Sequence, residues 1–520
     1  MLHTASAFRG MVTAPHHLAA QSGLDVLKDG GTAAEAAVAV AATLAVVYPH
    51  MNSIGGDSFW LVREPDGVLH GVHAVGGAAQ KAELSLYAGL ESVPWRGPLA
   101  ANTVAGTISG WQALLEGGAL PLARILRDAV FYADDGVAVT EGGAALAAAK
   151  DAELSEVAGY AAVFRPAGRP LQAGERLKQP ALAETLRRLA RDGFDGFYRG
   201  ALARDIAADL EAAGSPVGAS DLEAHAVTRP IPLRARVAGA SLYNAAPPTQ
   251  GFASLLILAL YDRLTGGGEF AHVHGLVEAT KRAFLLRDRH IGDPLHMDFD
   301  PQAFLDDGAA LDALAAKIDP HTALTWPQPP SAGDTVWFGV IDRDGRAVSA
   351  IQSTYFEFGS GLVLPQSGIV WQNRGASFRL SVDGWNVLKP GRKPFHTLNP
   401  AMAVFDDGRV MPYGTMGGEG QPQTQAAVFT RYAAGMGLQA AITAPRWLLG
   451  RTWGEDSVSL KLEDRFDPAL YDALRQAGHA VELLAPFTST MGHAGALVRH
   501  ADGRLEGATD PRSDGGVAAW

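Results

Sequence analysis

The chain has 520 residues, 47% of them hydrophobic and 19% charged, a composition that excludes a disordered protein, a coiled coil and a collagen. Its net charge of −12 is spread along the sequence without a basic stripe, so nucleic acid is not an expected partner. The absence of Cys excludes disulfides, iron–sulfur clusters, thiolate zinc sites and a cysteine nucleophile.

The N-terminal stretch MLHTASAFRGMVTAPHH lacks the apolar core of a signal peptide. The longest apolar run, Ala36 to Tyr48, is broken by Thr43 and is shorter than the roughly 20 residues that span a bilayer. No membrane association and, by default, a cytoplasmic location are therefore expected. Residues 31–47 predict a buried Ala-rich helix, with Thr32 and Glu35 in capping-box spacing and Tyr48-Pro49-His50 ending it. Ile54-Gly55-Gly56-Asp57 reads as a turn feeding a strand over Ser58–Val62. Residues 120–215 are mostly helical by period, and 251–290 form a second helical block. His16, His17 and His50 read as turn and helix-end residues, and most Trp, including Trp326, Trp447 and Trp453, as core or pocket wall.

Residues 319–334, DPHTALTWPQPPSAGD, have four Pro and no apolar period, and predict an exposed loop ending at Gly333-Asp334. Directly after it, Thr335–Ile341 predicts a strand apolar on both faces, with Thr335 as its first residue. Asp342-Arg343-Asp344-Gly345 makes a hairpin turn into a return strand, RAVSAIQST. A Thr hydroxyl needs a base beside it to act as a nucleophile, and a free α-amine on the same residue is one. That amine has a reference pKa of about 7.7–8, suited to work near neutral pH. Thr335 would gain such an amine only by scission of the Asp334–Thr335 bond, through attack of its own hydroxyl on the Asp334 carbonyl.

The segments PHHLAAQSGLDVLKDGGTAAEAAVA, VVYPHMNSIGGDSFW, TVAGTISGW, APPTQG, EATKRAFLLRD, DTVWFGVIDRDGRAVS, FGSGLVLPQSGIVWQNRGASF and TMGGEGQPQ stand in one order along nearly the whole chain. In them the chain resembles the γ-glutamyltranspeptidase-type N-terminal-nucleophile hydrolases. The resemblance implies an α+β fold, a four-layer αββα sandwich, and self-cleavage into a large subunit, 1–334, and a small subunit, 335–520, that together make one unit. It implies Thr335 as nucleophile and Gly417-Gly418 as the oxyanion hole, where fixed N–H dipoles face the tetrahedral oxygen. Ser353 falls where the family has a Thr hydroxyl supporting the nucleophile. Asn373 matches an Asn of the family's substrate strand; a buried turn amide is the alternative reading.

Departures from the family bear on the substrate. The family's carboxylate-binding Arg falls near Val75, its amine-holding Asp on Ser377, and its Ser-Ser pair on His396-Thr397. Both charged clamps for a γ-glutamyl group are thus missing, while Arg374 adds a cation whose planar fork suits a carboxylate. Within the family, QNRGASF, PFHTLNP, APRWLLGRTWG and MGHAGALVRH resemble the oxamate amidohydrolases of purine and urate breakdown. This implies hydrolysis of oxamate, a carboxylate-bearing amide, to oxalate and ammonia. Arg374 would hold the carboxylate, and Tyr355, His396 and Thr397 would line the substrate.

Rival readings are a γ-glutamyl hydrolase or transferase, a cephalosporin-type acylase, and a precursor that never matures. A metal hydrolase would draw on His290, Asp293 and His296, but H-E-x-x-H and comparable spacings are absent from the sequence. No G-x-G-x-x-G or Walker loop occurs, so neither a metal nor a nucleotide cofactor is expected, and Gly359-Ser360-Gly361 reads as a tight turn. The oligomeric state is open, a dimer of heterodimers being one option.

Overall fold

Ala-rich sequence favours helix, since Ala loses no side-chain entropy there. The helix Ala33–Val47 forms as predicted, with Thr32 Oγ1 accepting from the Glu35 N–H and the Glu35 carboxylate accepting from the Thr32 N–H. Every residue in it is buried, as befits a helix apolar all round. It packs against the helices His17–Lys28 and Arg127–Asp135 on one side and a β-sheet on the other. This is a computed structural model that describes residues 3–237, 239–326, 334–450 and 458–520, and of Asp334 the backbone alone.

Two sheets form the centre. The six-stranded sheet runs in the order Gly516–Ala519, Met11–Ala14, Asp334–Ile341, Ala347–Tyr355, Asp57–Arg63, Leu69–Ala74. The seven-stranded sheet runs Ala5–Ala7, Leu505–Thr509, Ala494–Arg499, Val410–Thr415, Ala401–Phe405, Ala240–Asn244, Leu233–Val237. All neighbouring pairs within both sheets are antiparallel.

The core resolves into layers. Trp60, Val62, Val336, Phe338, Val340, Val348 and Ala350 pack outward from the six-stranded sheet against the N-terminal helices. Leu242, Ala403, Met411 and Ala496 pack outward from the other sheet against Gly251–Tyr261, Gly268–His290 and Gly420–Ala433. Between the sheets lie Phe59, Trp337, Ile351, Ala245, Val75 and Leu398, with Met11, Leu61, Ile341 and Met402 in a second patch. The order helix, sheet, sheet, helix is the αββα sandwich.

The turn before Asp57 and the hairpin after Ile341 fall where predicted, and the return strand is Ala347–Tyr355. The two helical blocks form as well, the first interrupted by a short strand pair, Val137–Ala138 with Arg176–Leu177. One boundary moves. The strand that carries Thr335 starts at Asp334, whose backbone pairs with Tyr355 across a bulge, so the ladder extends one residue into the expected loop. Of that loop, residues 319–326 are described and mostly exposed; Gly333 and the rest of 327–333, like Trp453, lie outside the described residues. Trp447 is buried and Trp326 packs half-buried on the outer core. Among the described residues no helix is long and apolar enough to cross a membrane.

Candidate active site

Strand alternation places the chemistry. Asp57 pairs with Ser353, and the bulge between Gln352 and Tyr355 sets Ser353 and Thr354 opposite Thr335. Gln352 turns outward, donating to Asn52 and accepting from the Trp111 indole N–H. The next residue along each strand faces the opposite way. Thr335, Ser353 and Asp57 therefore stand at one level on three adjacent strands, facing the second sheet, beside Trp337, Ile351 and Phe59 of the inter-sheet core. Thr335 is fully buried. Ser353 Oγ accepts the Tyr355 N–H at 2.8 Å, which fixes the bulge.

Gly417 and Gly418 follow the strand Val410–Thr415 and have φ of 116° and 52°, in the left-handed region that side chains avoid. Their carbonyls accept from Gly420 and Gln421, which opens the helix Gly420–Ala433. Among the described residues neither Gly417 N–H nor Gly418 N–H is taken up by a hydrogen bond. Two adjacent backbone N–H groups left unused in this way are able to donate to an anion. Gln250 holds it in place: its Nε2 donates to the Thr397 carbonyl at 2.7 Å and the Gly418 carbonyl at 2.8 Å. Arg287 in turn donates to Gln250 Oε1 and Glu419 Oε1, each at 2.9 Å.

Arg374 opens a short 3-10 turn, Arg374–Ser377, and is 1% exposed. Its guanidinium lies 3.5 Å from the Tyr355 ring centroid, a cation–π contact. The Tyr355 backbone has φ of 84°, a strained conformation that sets its ring there. Nη1 donates to Thr397 Oγ1 at 3.4 Å, whereas among the described residues Nε and Nη2 have no hydrogen-bond partner. Burial lowers the Arg374 pKa to about 10, partly offset by Tyr355 and Asp57, so the group stays charged at neutral pH.

His396 is fully buried, neither ring nitrogen is hydrogen-bonded among the described residues, and its Nε2 approaches Asp57 Oδ2 to 3.6 Å. This approach is not an ion pair at neutral pH. Burial, reinforced by Arg374, holds His396 well below its usual range and therefore neutral. Burial raises Asp57 to about 7, against the opposing pull of the Gly106 and Gly76 N–H groups, of the Gln372 side-chain amide and of Arg374.

Thr335, Ser353, Arg374, Tyr355, His396 and Thr397 thus gather around one buried centre. Asn373 is tied to backbone at both ends of its amide: Nδ2 donates to the Trp95 carbonyl at 2.9 Å, and Oδ1 accepts the Phe356 N–H at 3.0 Å. It orients the turn that carries Arg374. Val75 lies in the apolar cluster beneath the site, and Ser377 Oγ donates to the Phe395 carbonyl at 3.4 Å. Sequence reasoning missed Asp57 and the Gln250–Arg287 brace. The signal for Gln250 lay in APPTQG; for Asp57 it lay in a carboxylate directly after a Gly-Gly turn.

Among the described residues, the group with metal-ligand geometry is His274, Glu278 and His479, not the segment around His290. Glu278 is ion-paired with Lys281 at 2.6 Å, and His274 Nδ1 is hydrogen-bonded to His479 Nε2 at 2.9 Å, an arrangement already satisfied without an ion. A cavity of about 770 Å³ lined by Tyr261, His272, Phe429 and Met436 shares no residue with the site.

The gamma-glutamyltranspeptidase family profile matches residues 19–520. The oxamate amidohydrolase proenzyme of Klebsiella pneumoniae is 55% identical over 520 residues, covering 98% of this chain and 98% of that protein. A glutathione hydrolase-like proenzyme of Bacillus subtilis is 40% identical over 513 residues, with 97% of each chain covered. Among solved structures, the cephalosporin acylase from Bacillus halodurans has a TM-score of 0.92 at 33% identity, over 100% of this chain and 97% of that one.

Proposed function

The chain belongs to the gamma-glutamyltranspeptidase family, and from that premise we propose that it is a self-cleaving amidohydrolase that converts oxamate to oxalate and ammonia, as in purine and urate breakdown. In the single chain the Thr335 nitrogen is a peptide nitrogen and cannot act as a base. Thr335 Oγ attacks the Asp334 carbonyl carbon, the C–N bond breaks, and the nitrogen takes the hydroxyl proton. Water then hydrolyses the resulting ester, leaving subunits 1–334 and 335–520, the second with a free α-amine on Thr335.

In the mature site that amine takes the Thr335 hydroxyl proton as Oγ attacks the amide carbon of oxamate. The oxyanion lies against the Gly417 and Gly418 N–H groups. Collapse breaks the C–N bond, the ammonium returns its proton to the leaving nitrogen, and ammonia departs. Water, deprotonated by the same amine, attacks the oxalyl ester. The proton goes back to Thr335 Oγ and oxalate is released.

The observation that carries the substrate reading is Arg374: a charged guanidinium, 1% exposed, with Nε and Nη2 unpartnered. A buried cation with open donors needs an anionic partner, and a planar carboxylate matches that fork. The short distance between amide and carboxylate in oxamate suits a nucleophile and a cation in one small buried centre. Processed protein is to be incubated separately with oxamate and with glutathione. Equimolar ammonia and oxalate from oxamate supports the reading; release of glutamate from glutathione with oxamate untouched overturns it.

A further inference from the structure

Asp57 has no part in the chemistry above, yet it stands at the level of Thr335 and Ser353 on the same sheet face. Its Oδ1 accepts the Gly106 N–H at 3.0 Å and the Gly76 N–H at 3.4 Å, which fixes the carboxyl group. Both glycines are pressed against backbone: a Cβ on Gly106 would lie 2.2 Å from the Ala74 carbonyl oxygen, and one on Gly76 2.1 Å from that of Val104. The fold thus brings two N–H groups onto one oxygen, with the Gln372 side-chain amide also acting on the carboxyl, while Oδ2 meets no hydrogen-bond partner in range among the described residues and faces the site beside His396.

The charges facing Asp57 come from every side. Arg374 acts on it from the 3-10 turn and Lys393 from the segment before His396. Tyr198 lies nearby, and neutral His73 and His396 fill the space toward the second sheet. On its own face the Thr335 α-amine joins them after scission. Arg374 is the permanent cation at the carboxylate position.

We propose that Asp57 is the specificity residue that sets the charge of this pocket: an ionised Asp57 and the substrate carboxylate compete for the Arg374 charge, so the substrate enters together with one proton that comes to rest on Asp57 Oδ2. This rests on the oxamate reading above. Two carboxylates beside one guanidinium in a dry interior would leave an unbalanced negative charge, which a low dielectric penalises heavily. Protonation removes it, and burial, which raises Asp57 to about 7, pushes the carboxyl in the same direction before a second anion arrives.

The test compares KM for oxamate, and kcat beside it, between pH 6 and 9 in mature wild type and mature Asp57→Asn. Asn keeps the Oδ1 acceptor for Gly106 and Gly76. The Thr335 amine titrates in both proteins, so the ratio of the two KM values isolates Asp57. The ratio of wild-type to variant KM is expected to rise about tenfold per pH unit above pH 7, by one-proton linkage, while kcat follows the same amine titration in both. A ratio constant across the range overturns the proposal. Should Asp57→Asn fail to mature, the difference infrared spectrum of wild type on adding oxalate at pH 8 replaces it. A new C=O stretch of a protonated carboxyl is expected, and its absence overturns the proposal. Wild type that never releases ammonia from oxamate overturns the functional reading instead, and this inference with it.

Discussion

Replacing Arg374 by Ala removes the cation from a fully buried site and leaves the incoming carboxylate facing Asp57 and the neutral His396. Breaking a buried, hydrogen-bonded charge pair by deleting one partner costs about 3–5 kcal/mol. In the proposed complex the pair is Arg374 with the substrate carboxylate, so this loss would fall on transition-state binding, a drop of roughly 150- to 5,000-fold in kcat/KM. Lys keeps the charge but not the planar fork stacked on Tyr355. Losing one charge-assisted hydrogen bond, about 1.5–3 kcal/mol, places Arg374→Lys at roughly 10- to 150-fold. Scission before Thr335 needs no substrate carboxylate, so both variants should still give two fragments on a denaturing gel. The assay is ammonia release from oxamate by protein shown to be cut. Arg374→Ala turnover within twofold of wild type would refute the assignment, for the carboxylate would then be held elsewhere.

Thr335→Ala should remain a single chain on denaturing electrophoresis and release no ammonia; fragments of the expected size would assign the scission to another residue. Gly417→Ala forces a side chain onto a φ of 116°, with its Cβ 3.4 Å from Gly492 Cα, and would disturb the proposed oxyanion donor. Turnover should fall about 100- to 1,000-fold, with KM changed far less; an unchanged kcat would exclude Gly417 from the oxyanion hole. Burial lowers His16, His50, His73 and His225 to about 3. These groups bind protons in the unfolded chain first, so the stability they confer is present above their unfolded value near 6.5 and is lost as pH falls through it. Each such His adds about 1.4 kcal/mol of destabilisation per pH unit below that point. The melting temperature should therefore fall steeply between pH 6 and 4; a flat profile to pH 4.5 would contradict their burial as neutral imidazoles.

Local signals in the sequence carried the elements that surround the site. The Thr32–Glu35 box, the all-apolar run after it and the Asp342–Gly345 turn each depend on residues within a few positions, and each formed in place. The start of the strand that carries Thr335 falls one residue before the predicted one because Asp334 owes its strand state to Tyr355, a partner across a bulge that periodicity cannot register. Arg374 was legible as a cation out of place, but its stacking on Tyr355 depends on a positive φ that the sequence does not announce. Asp57 and Gln250 left only a local trace, a carboxylate after Gly-Gly and the APPTQG segment, which does not say what either side chain touches. Their partners, His396 and Gly418, lie far along the chain, and only the packing of the two sheets brings them within reach.

A Thr335 amine exposed by scission is the base on which the proposed chemistry depends. Intact-mass analysis with N-terminal sequencing, made on a preparation actively releasing ammonia from oxamate, addresses it directly. The predicted result is two polypeptides, the smaller spanning 335–520 and beginning at Thr335. A single unbroken chain carrying the full activity would contradict it.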